Sequence, residues 1–504
     1  MQEHIRALIV IIFLAAIGFS IAKKSSPYDS LTAHFNKWRN IWIAVTLTAF
    51  IANNFWVYIV VSSFLILLIT KHERNKIALF FILLFVIPPL DETIPGLGLV
   101  NYLFNLTHPR FIALLILLPA ALALSQKNNF KFTKIWTDKF LLLYLLLLVI
   151  LELRDTSFTD TLRKCLYLLT DIFLPYYVAS RSIKDFSQMK TALYAFITSA
   201  IVLGIIAIFE SLKHWILYNS LGNALGTGDG MGNYLGRSGE IRAIATLGHP
   251  IILGYFMSVA LGLYLFLSDS IQNILIKRIS FLIIILGLLA PLSRGPWVGA
   301  VVLIVIYTLQ GPMAVKKLST LFLVFFIAFL TLASLPGGQR FVELIPFVGE
   351  TQDGNINYRE KLFKNSMKVI NKNPIFGSSN YLKTPEMQEM IQGEGIIDIV
   401  NSYLRITLET GYVGLLLFIG IFASVILSVR KSMRLIIDKK NQLYLLGRCL
   451  VAILLCTMTT IATTSSIATL PVIYWSVLGI GIAYSQIVKQ DSANNLLKRG
   501  EVPT

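Results

Sequence analysis

Long apolar runs separated by short polar connectors set the pattern of this chain. The runs lie near residues 77–90, 110–125, 140–153, 161–180, 191–212, 251–267, 279–292, 297–310, 318–335, 402–429, 446–464 and 470–488. About 17 to 25 apolar residues cross a hydrocarbon core about 30 Å thick, so with the earlier segments the pattern predicts about 14 membrane-spanning helices. Ile5 to Ala22 reads as a first span, because no convincing small-residue cleavage site follows it. Residues 40–70 are either one long tilted helix or two short ones meeting at Asn53-Asn54. Lys23, Lys24, Lys37 and Arg39 favour two, by placing the preceding loop on the basic side.

The connectors carry the charge. Lys71 to Lys76, Lys127 to Lys139, Arg181 to Lys190, Lys277-Arg278, Lys316-Lys317, Arg430 to Lys440 and the C-terminal tail are basic, which places them in the cytoplasm. The resulting alternation divides an all-α, polytopic chain into an N-terminal bundle (1–212), an external loop (213–250), spans that include a hairpin around Arg294 (251–335), a large external loop (336–400), C-terminal spans (401–490) and a cytoplasmic tail (491–504). Within the second loop, Leu362, Phe363, Met367 and Ile370 recur at helical spacing over Tyr358 to Lys372, with Lys361, Lys364, Lys368 and Lys372 on another face. This amphipathic helix either lies on the membrane surface or packs over the bundle. Asn373-Pro374 ends it.

Composition excludes a soluble protein: the 504 residues are 55% hydrophobic and only 14% charged. The net charge of +17 would suggest nucleic acid in a soluble domain, but its concentration in the connectors makes it a topology signal. Cys165, Cys449 and Cys456 fall in apolar runs without CxxC spacing, so neither a disulfide nor a zinc site is indicated.

One charge breaks the apolar pattern. Arg294 stands in Pro291-Leu292-Ser293-Arg294-Gly295-Pro296-Trp297, between the runs Ile279 to Ala290 and Val298 to Leu309. An arginine at a bilayer centre costs roughly 2.5 to 3.5 kcal/mol on insertion scales, so it normally faces a bundle interior or a wet cavity. Because Lys277-Arg278 and Lys316-Lys317 both read as cytoplasmic, residues 279–310 form a hairpin with Arg294 at its turn. Each arm of about 14 residues rises about 21 Å, short of a full crossing. Pro291, Gly295 and Pro296 supply the break, and the guanidinium either meets an anion in a recessed cavity or satisfies carbonyls at the break.

Three segments together resemble the O-antigen ligase and polymerase superfamily of bacterial membrane glycosyltransferases. Ser293-Arg294-Gly295-Pro296-Trp297-Val298-Gly299 is similar to its SRG-x-W-x-G segment. Tyr358-Arg359 followed by Asn373-Pro374-Ile375-Phe376-Gly377 resembles its R…(D/N)-P-x-x-G stretch. Asn401-Ser402-Tyr403-Leu404 followed by Glu409-Thr410-Gly411-Tyr412-Val413-Gly414-Leu415 resembles its N-S-Y-L…E-x-G-x-x-G-L return into the membrane. The likeness covers about residues 235 to 430. Ligases of the superfamily usually carry a histidine before the Asn-Ser pair, where this chain has Val400. That departure, and the look of Arg163 to Arg181 with Asp171, Pro175 and Tyr176-Tyr177, favour a polymerase.

The resemblance implies a polyprenyl-diphosphate-linked oligosaccharide as donor, a hydroxyl of an acceptor glycan as nucleophile, the lipid bilayer as environment, and a chain-length regulator or other export protein as partner. It implies no metal or other cofactor, no nucleic acid, and a site on the external face of a bacterial plasma membrane. Arg294 and Arg359 become the pyrophosphate clamp, with Arg237 and Arg242 as further phosphate or sugar contacts, and Asn401 and Tyr403 on the acceptor side. Arginine suits such a role because its planar fork holds phosphate oxygens in pairs and stays charged. For deprotonating the hydroxyl the candidates are Glu240, Asp398 and Glu409, and His249, which equally reads as a helix cap before Pro250. Glu409 equally reads as the partner of an arginine. Gly222 to Gly239 lacks GxxxxGK[ST] and reads as a loop, not a nucleotide cradle. No D-x-D, HExxH or His/Cys cluster suggests a metal. Ligation onto lipid A core or protein is the alternative reaction. A lipid or polysaccharide transporter is the alternative class, which should show charged residues along a path through many helices and an internal repeat.

Overall fold

A computed structural model describes residues 2–498 apart from 27–28, 97, 99, 127–134, 228–235, 238, 335–352 and 393–394. The chain is mostly helical, 77%. Among the described residues eight helices are long and apolar enough to cross a membrane: Glu3–Lys24, His108–Gln126, Phe186–Lys213, Pro250–Ser270, Ala314–Thr331, Ser402–Met433, Gln442–Ala462 and Leu470–Asn494. Phe55–Lys71 and Arg294–Leu309 are shorter apolar helices. π-helical turns interrupt two apolar stretches, at Ala113–Leu117 within the His108–Gln126 span and at Leu169–Phe173 between two shorter helices. Two small antiparallel hairpins, Asp91–Pro95 with Tyr102–Thr107 and Gly236–Arg237 with Glu240–Ile241, add to the all-α expectation.

The early segment resolves as two helices, Asp29–Ile51 and Phe55–His72. Asn53 adopts a positive φ of 48°, and the Asn54 side chain accepts from the N–H groups of Trp56 and Val57. These are the turn and cap roles that asparagine fills well.

The amphipathic helix also has a definite partner. It spans Asp353–Lys372, and its Leu362, Val369 and Ile370 are buried in a small separate core with Tyr381, Met387, Met390, Ile399 and Leu408. Its stripe therefore faces protein. Three of its lysines pair with carboxylates: Lys361 with Glu389, Lys364 with Glu360 and Lys372 with Glu386. Phe363, counted in the stripe from the sequence, is instead exposed.

Candidate functional site

The Arg294 turn is tighter than the sequence suggests. The first arm is Ile274–Leu289 and the second Arg294–Leu309, so only residues 290–293 are non-helical. Gly295 and Pro296 sit inside the first turn of the second arm and do not help to break the chain. Proline is tolerated there because the first N–H groups of a helix have no partner within it. The arms also splay. The first lies along Phe186–Lys213 and Pro250–Leu267, and the second along Pro250–Leu267 and Gln442–Ala462.

The residues around Arg294 in the motif then have physical tasks. Ser293 Oγ accepts from Arg242 Nη2 at 3.2 Å, while Arg242 Nε donates to Pro291 O at 3.0 Å. Leu292, at φ 48°, turns the chain between them. Gly295 leaves room for Thr463, whose Oγ1 would lie 2.6 Å from any Cβ there. Pro296 packs against Gly254, and the Trp297 indole N–H donates to Leu288 O at 2.9 Å, capping the first arm. Gly299 lets the second arm approach Cys456 and Thr460 of the neighbouring helix.

Arg359 arrives from the amphipathic helix. Its Nη2 donates to Thr463 O at 3.2 Å, so one residue touches both Gly295 and Arg359. The charges of Arg294 and Arg359 act on one another, and that of Asp398 acts on Arg359. Asp398 Oδ1 accepts from Ser465 Oγ at 2.9 Å, and the Asp398 carbonyl accepts from the Tyr358 hydroxyl at 2.9 Å. Arg294, Arg242 and Arg359 thus gather near the start of an apolar helix whose N-terminal N–H groups add partial positive charge, and Asp398 joins them through Arg359 and the Thr463–Ser466 link. Three arginines with one carboxylate among these described residues make a set whose chemistry suits an anion.

The other candidates separate from this cluster or take local roles. His249 caps Pro250–Leu267, its Nδ1 accepting from Ile251 N–H at 3.2 Å. Burial, and then the nearby Arg242, push its pKa down to about 4. A neutral ring with Nδ1 engaged carries its proton on Nε2 and has no lone pair left for a hydroxyl proton. Glu409 pairs with Arg405 Nε at 2.9 Å and accepts from the Tyr381 hydroxyl at 3.2 Å. Glu240, in the small hairpin, faces His214 at the end of the Phe186–Lys213 helix at 3.5 Å. Arg237 lies in that hairpin with its side chain outside the described residues. Asn401 caps the Ser402–Met433 helix through the N–H groups of Tyr403 and Leu404, and the Tyr403 hydroxyl donates to Met458 O at 3.0 Å. Among the described residues no group of three or more His, Cys, Asp or Glu could hold a metal ion.

The sequence reading passed over Thr463-Thr464-Ser465-Ser466, the link between two apolar helices. Thr463 meets Arg359 and Gly295. Thr464 O accepts from Ser402 N–H and Oγ, and Ser465 holds Asp398 and Ile399 O. The signal was visible: hydroxyls run through Thr459, Thr460, Thr463, Thr464, Ser465 and Ser466 in otherwise apolar surroundings.

The other two motifs form one joint. The Ser402–Met433 helix is broken at Gly411, with φ 67° and ψ −170°. Pro374 O accepts from Tyr412 N–H at 2.8 Å, Ile375 O from Val413 N–H at 3.4 Å, and Leu408 O from Ser378 N–H at 2.9 Å. The Asn-Pro-Ile-Phe-Gly segment therefore supplies backbone partners to the broken helix.

No curated protein matches the chain. Residues 279–419, which contain Arg294, Arg359 and the joint at Gly411, match the family model described as O-antigen ligase, and that match supports membership of the O-antigen ligase and polymerase superfamily.

Proposed function

We propose that the protein polymerises a surface polysaccharide at the external face of a bacterial plasma membrane, using an oligosaccharide linked to polyprenyl diphosphate as donor. The observation that carries this reading is the gathering of Arg294, Arg359 and Arg242 around the N-terminus of an apolar helix, with one carboxylate, Asp398, beside them. In the reaction an acceptor hydroxyl oxygen attacks the anomeric carbon of the donor. The bond from that carbon to the phosphate oxygen breaks, and polyprenyl diphosphate leaves as an anion. Its charge grows as the bond lengthens, so fixed cations stabilise the transition state more than the ground state. Asp398 takes the hydroxyl proton, a role for which the engagements of His249 and Glu409 leave it best suited.

Ligation is the second reading, favoured by the description of the matched family model. Against it, Val400 stands where ligases usually carry histidine, packed against the small apolar core. Purified protein in lipid nanodiscs, supplied with the lipid-linked oligosaccharide alone, separates the two. A ladder of lengthening products is expected. Products that form only after addition of lipid A core or an acceptor protein would make it a ligase, and no transfer to any acceptor would overturn both readings.

A further inference from the structure

Glu210 has a carboxylate where one is expensive, near the end of the apolar helix Phe186–Lys213 and fully buried. Among the described residues its hydrogen-bond partners include no cation. Instead it collects backbone N–H groups: Oε1 accepts from Leu217 at 3.1 Å, and Oε2 from Ile244 at 3.0 Å and Ala245 at 2.9 Å. Leu217 follows the helix, while Ile244 and Ala245 belong to the segment that returns to the bundle before Pro250. Ala245 is held there at a positive φ of 46°, a conformation that costs a non-glycine residue energy and persists only where its surroundings fix it.

The residues just before Ile244 reach the Arg294 turn. Ala243 N–H donates to Ala290 O at 3.2 Å, and Arg242 binds Pro291 O and Ser293 Oγ. A chain of contacts thus runs from the Glu210 carboxylate through the 242–245 backbone to the residue before Arg294. Its outer anchor is Thr246, whose hydroxyl donates to Phe85 O at 2.8 Å. We infer that Glu210 is a positioning residue for the Arg294 site, acting through residues 242–245 and Arg242. It must be a carboxylate because only acceptor oxygens can face three N–H groups. A glutamine would turn its NH₂ toward either Leu217 or the Ile244–Ala245 pair, leaving donor against donor in a buried place.

The inference rests on the proposed reaction for its activity arm only. In full-length protein in nanodiscs, Glu210→Gln should raise hydrogen exchange at the amides of residues 244–245 while leaving the Ser402–Met433 helix unchanged. That arm needs no turnover, so it decides the placement even if the reaction is another one. In the transfer assay Glu210→Gln should lower the rate about 10- to 100-fold, the scale expected of a reacting group displaced by about 1 Å. The double variant Glu210→Gln with Arg242→Ala should be no slower than the slower single variant, because both act through one path. With Arg359→Ala the losses should multiply. Glu210→Asp keeps the charge and withdraws it by one methylene, so intermediate exchange and an intermediate rate are expected, and this variant serves if glutamine prevents folding. Unchanged exchange at residues 244–245 in the variant that folds, or losses that multiply with Arg242→Ala, would overturn the inference.

Discussion

Two interruptions of apolar helices lie within the segment that matches the family model, and they are filled by different chemistry. At Gly411 the freed N–H groups of Tyr412 and Val413 and the carbonyl of Leu408 are met by the backbone of residues 374–378. Backbone answers backbone, and no charge is left to place. At residues 290–293 one backbone partner, Ala243 N–H to Ala290 O, is joined by a charged side chain, Arg242, which binds Pro291 O and Ser293 Oγ, and the next residue is Arg294, itself within the field of Arg359. Backbone groups freed by an interrupted helix need partners in both places. Only the break at residues 290–293, the first along the chain, gathers charge beyond what covering it requires, and on the proposed reading that difference separates a binding site from the structural joint at Gly411, the second break.

The sharpest way to break the comparison is to remove the charge. Arg294→Ala should cut polymer formation about 10²- to 10³-fold, the scale of losing one preorganised electrostatic contact to a transition state, while the amount of folded protein and its melting temperature stay near wild type. Arg294→Lys should recover only part of the rate, since an ammonium lacks the paired geometry of the guanidinium. Initial rates in the nanodisc assay, with protein level by immunoblot, check both. Wild-type polymer from the alanine variant would make the first break as structural as the second.

Gly411→Ala tests the joint and should do the reverse. A Cβ there would stand 2.2 Å from Ile375 O, on a backbone at φ 67°. Such strain costs on the order of 1–3 kcal/mol, so melting temperature and yield should fall. The fraction that folds should keep a rate within a few-fold of wild type and stay dependent on Arg294. A variant that is stable but inactive would move Gly411 into the site.

Much of this contrast was legible in the sequence, and the part that was not has a physical reason. Arg294 announced itself because a charge in an apolar run is costly, and Asn53-Asn54 marked a turn through residue types that favour one. The extent of the break at residues 290–293 was overread, because proline and glycine in a first helical turn look the same in sequence as proline and glycine in a loop. The partners of Glu210 and Thr463 were not legible, although the run of hydroxyls around Thr463 was. Both act through main-chain groups of segments distant in sequence, and a backbone amide or carbonyl leaves no mark in the residue type that carries it. The same limit hid the union of the Asn-Pro-Ile-Phe-Gly and Glu-x-Gly motifs, which meet through main-chain bonds.

His249 sharpens the first break through pH. Its folded pKa of about 4 lies below the ordinary 6.5, so between those values the unfolded chain binds a proton that the folded one does not. Stability then falls as pH drops from about 6.5 toward about 4. His249→Asn keeps a capping side chain and removes the titration, so the melting temperature should depend less steeply on pH across that window. Its activity at neutral pH should remain within a few-fold of wild type, since a capping imidazole donates nothing to the reaction. A loss as deep as that of Arg294→Ala would restore His249 as the base.

The smallest effect is expected at the second break, two residues before Gly411. Glu409 and Arg405 pair at 2.9 Å with side chains 34% and 44% exposed. An ion pair that open, one helical turn apart, contributes about 0–1 kcal/mol. Glu409→Gln should therefore shift the melting temperature by no more than a degree or two and change the rate less than about threefold, as expected of a charge already answered by its neighbour. Asp398→Asn, at the first break, should be far more damaging, because there the carboxylate faces an excess of cations and has a proton to take. Comparing the two variants at matched protein level isolates that distinction. If Glu409→Gln proved the slower enzyme, the Gly411 joint would hold the proton acceptor, and the chemistry would straddle both interruptions instead of residing at one.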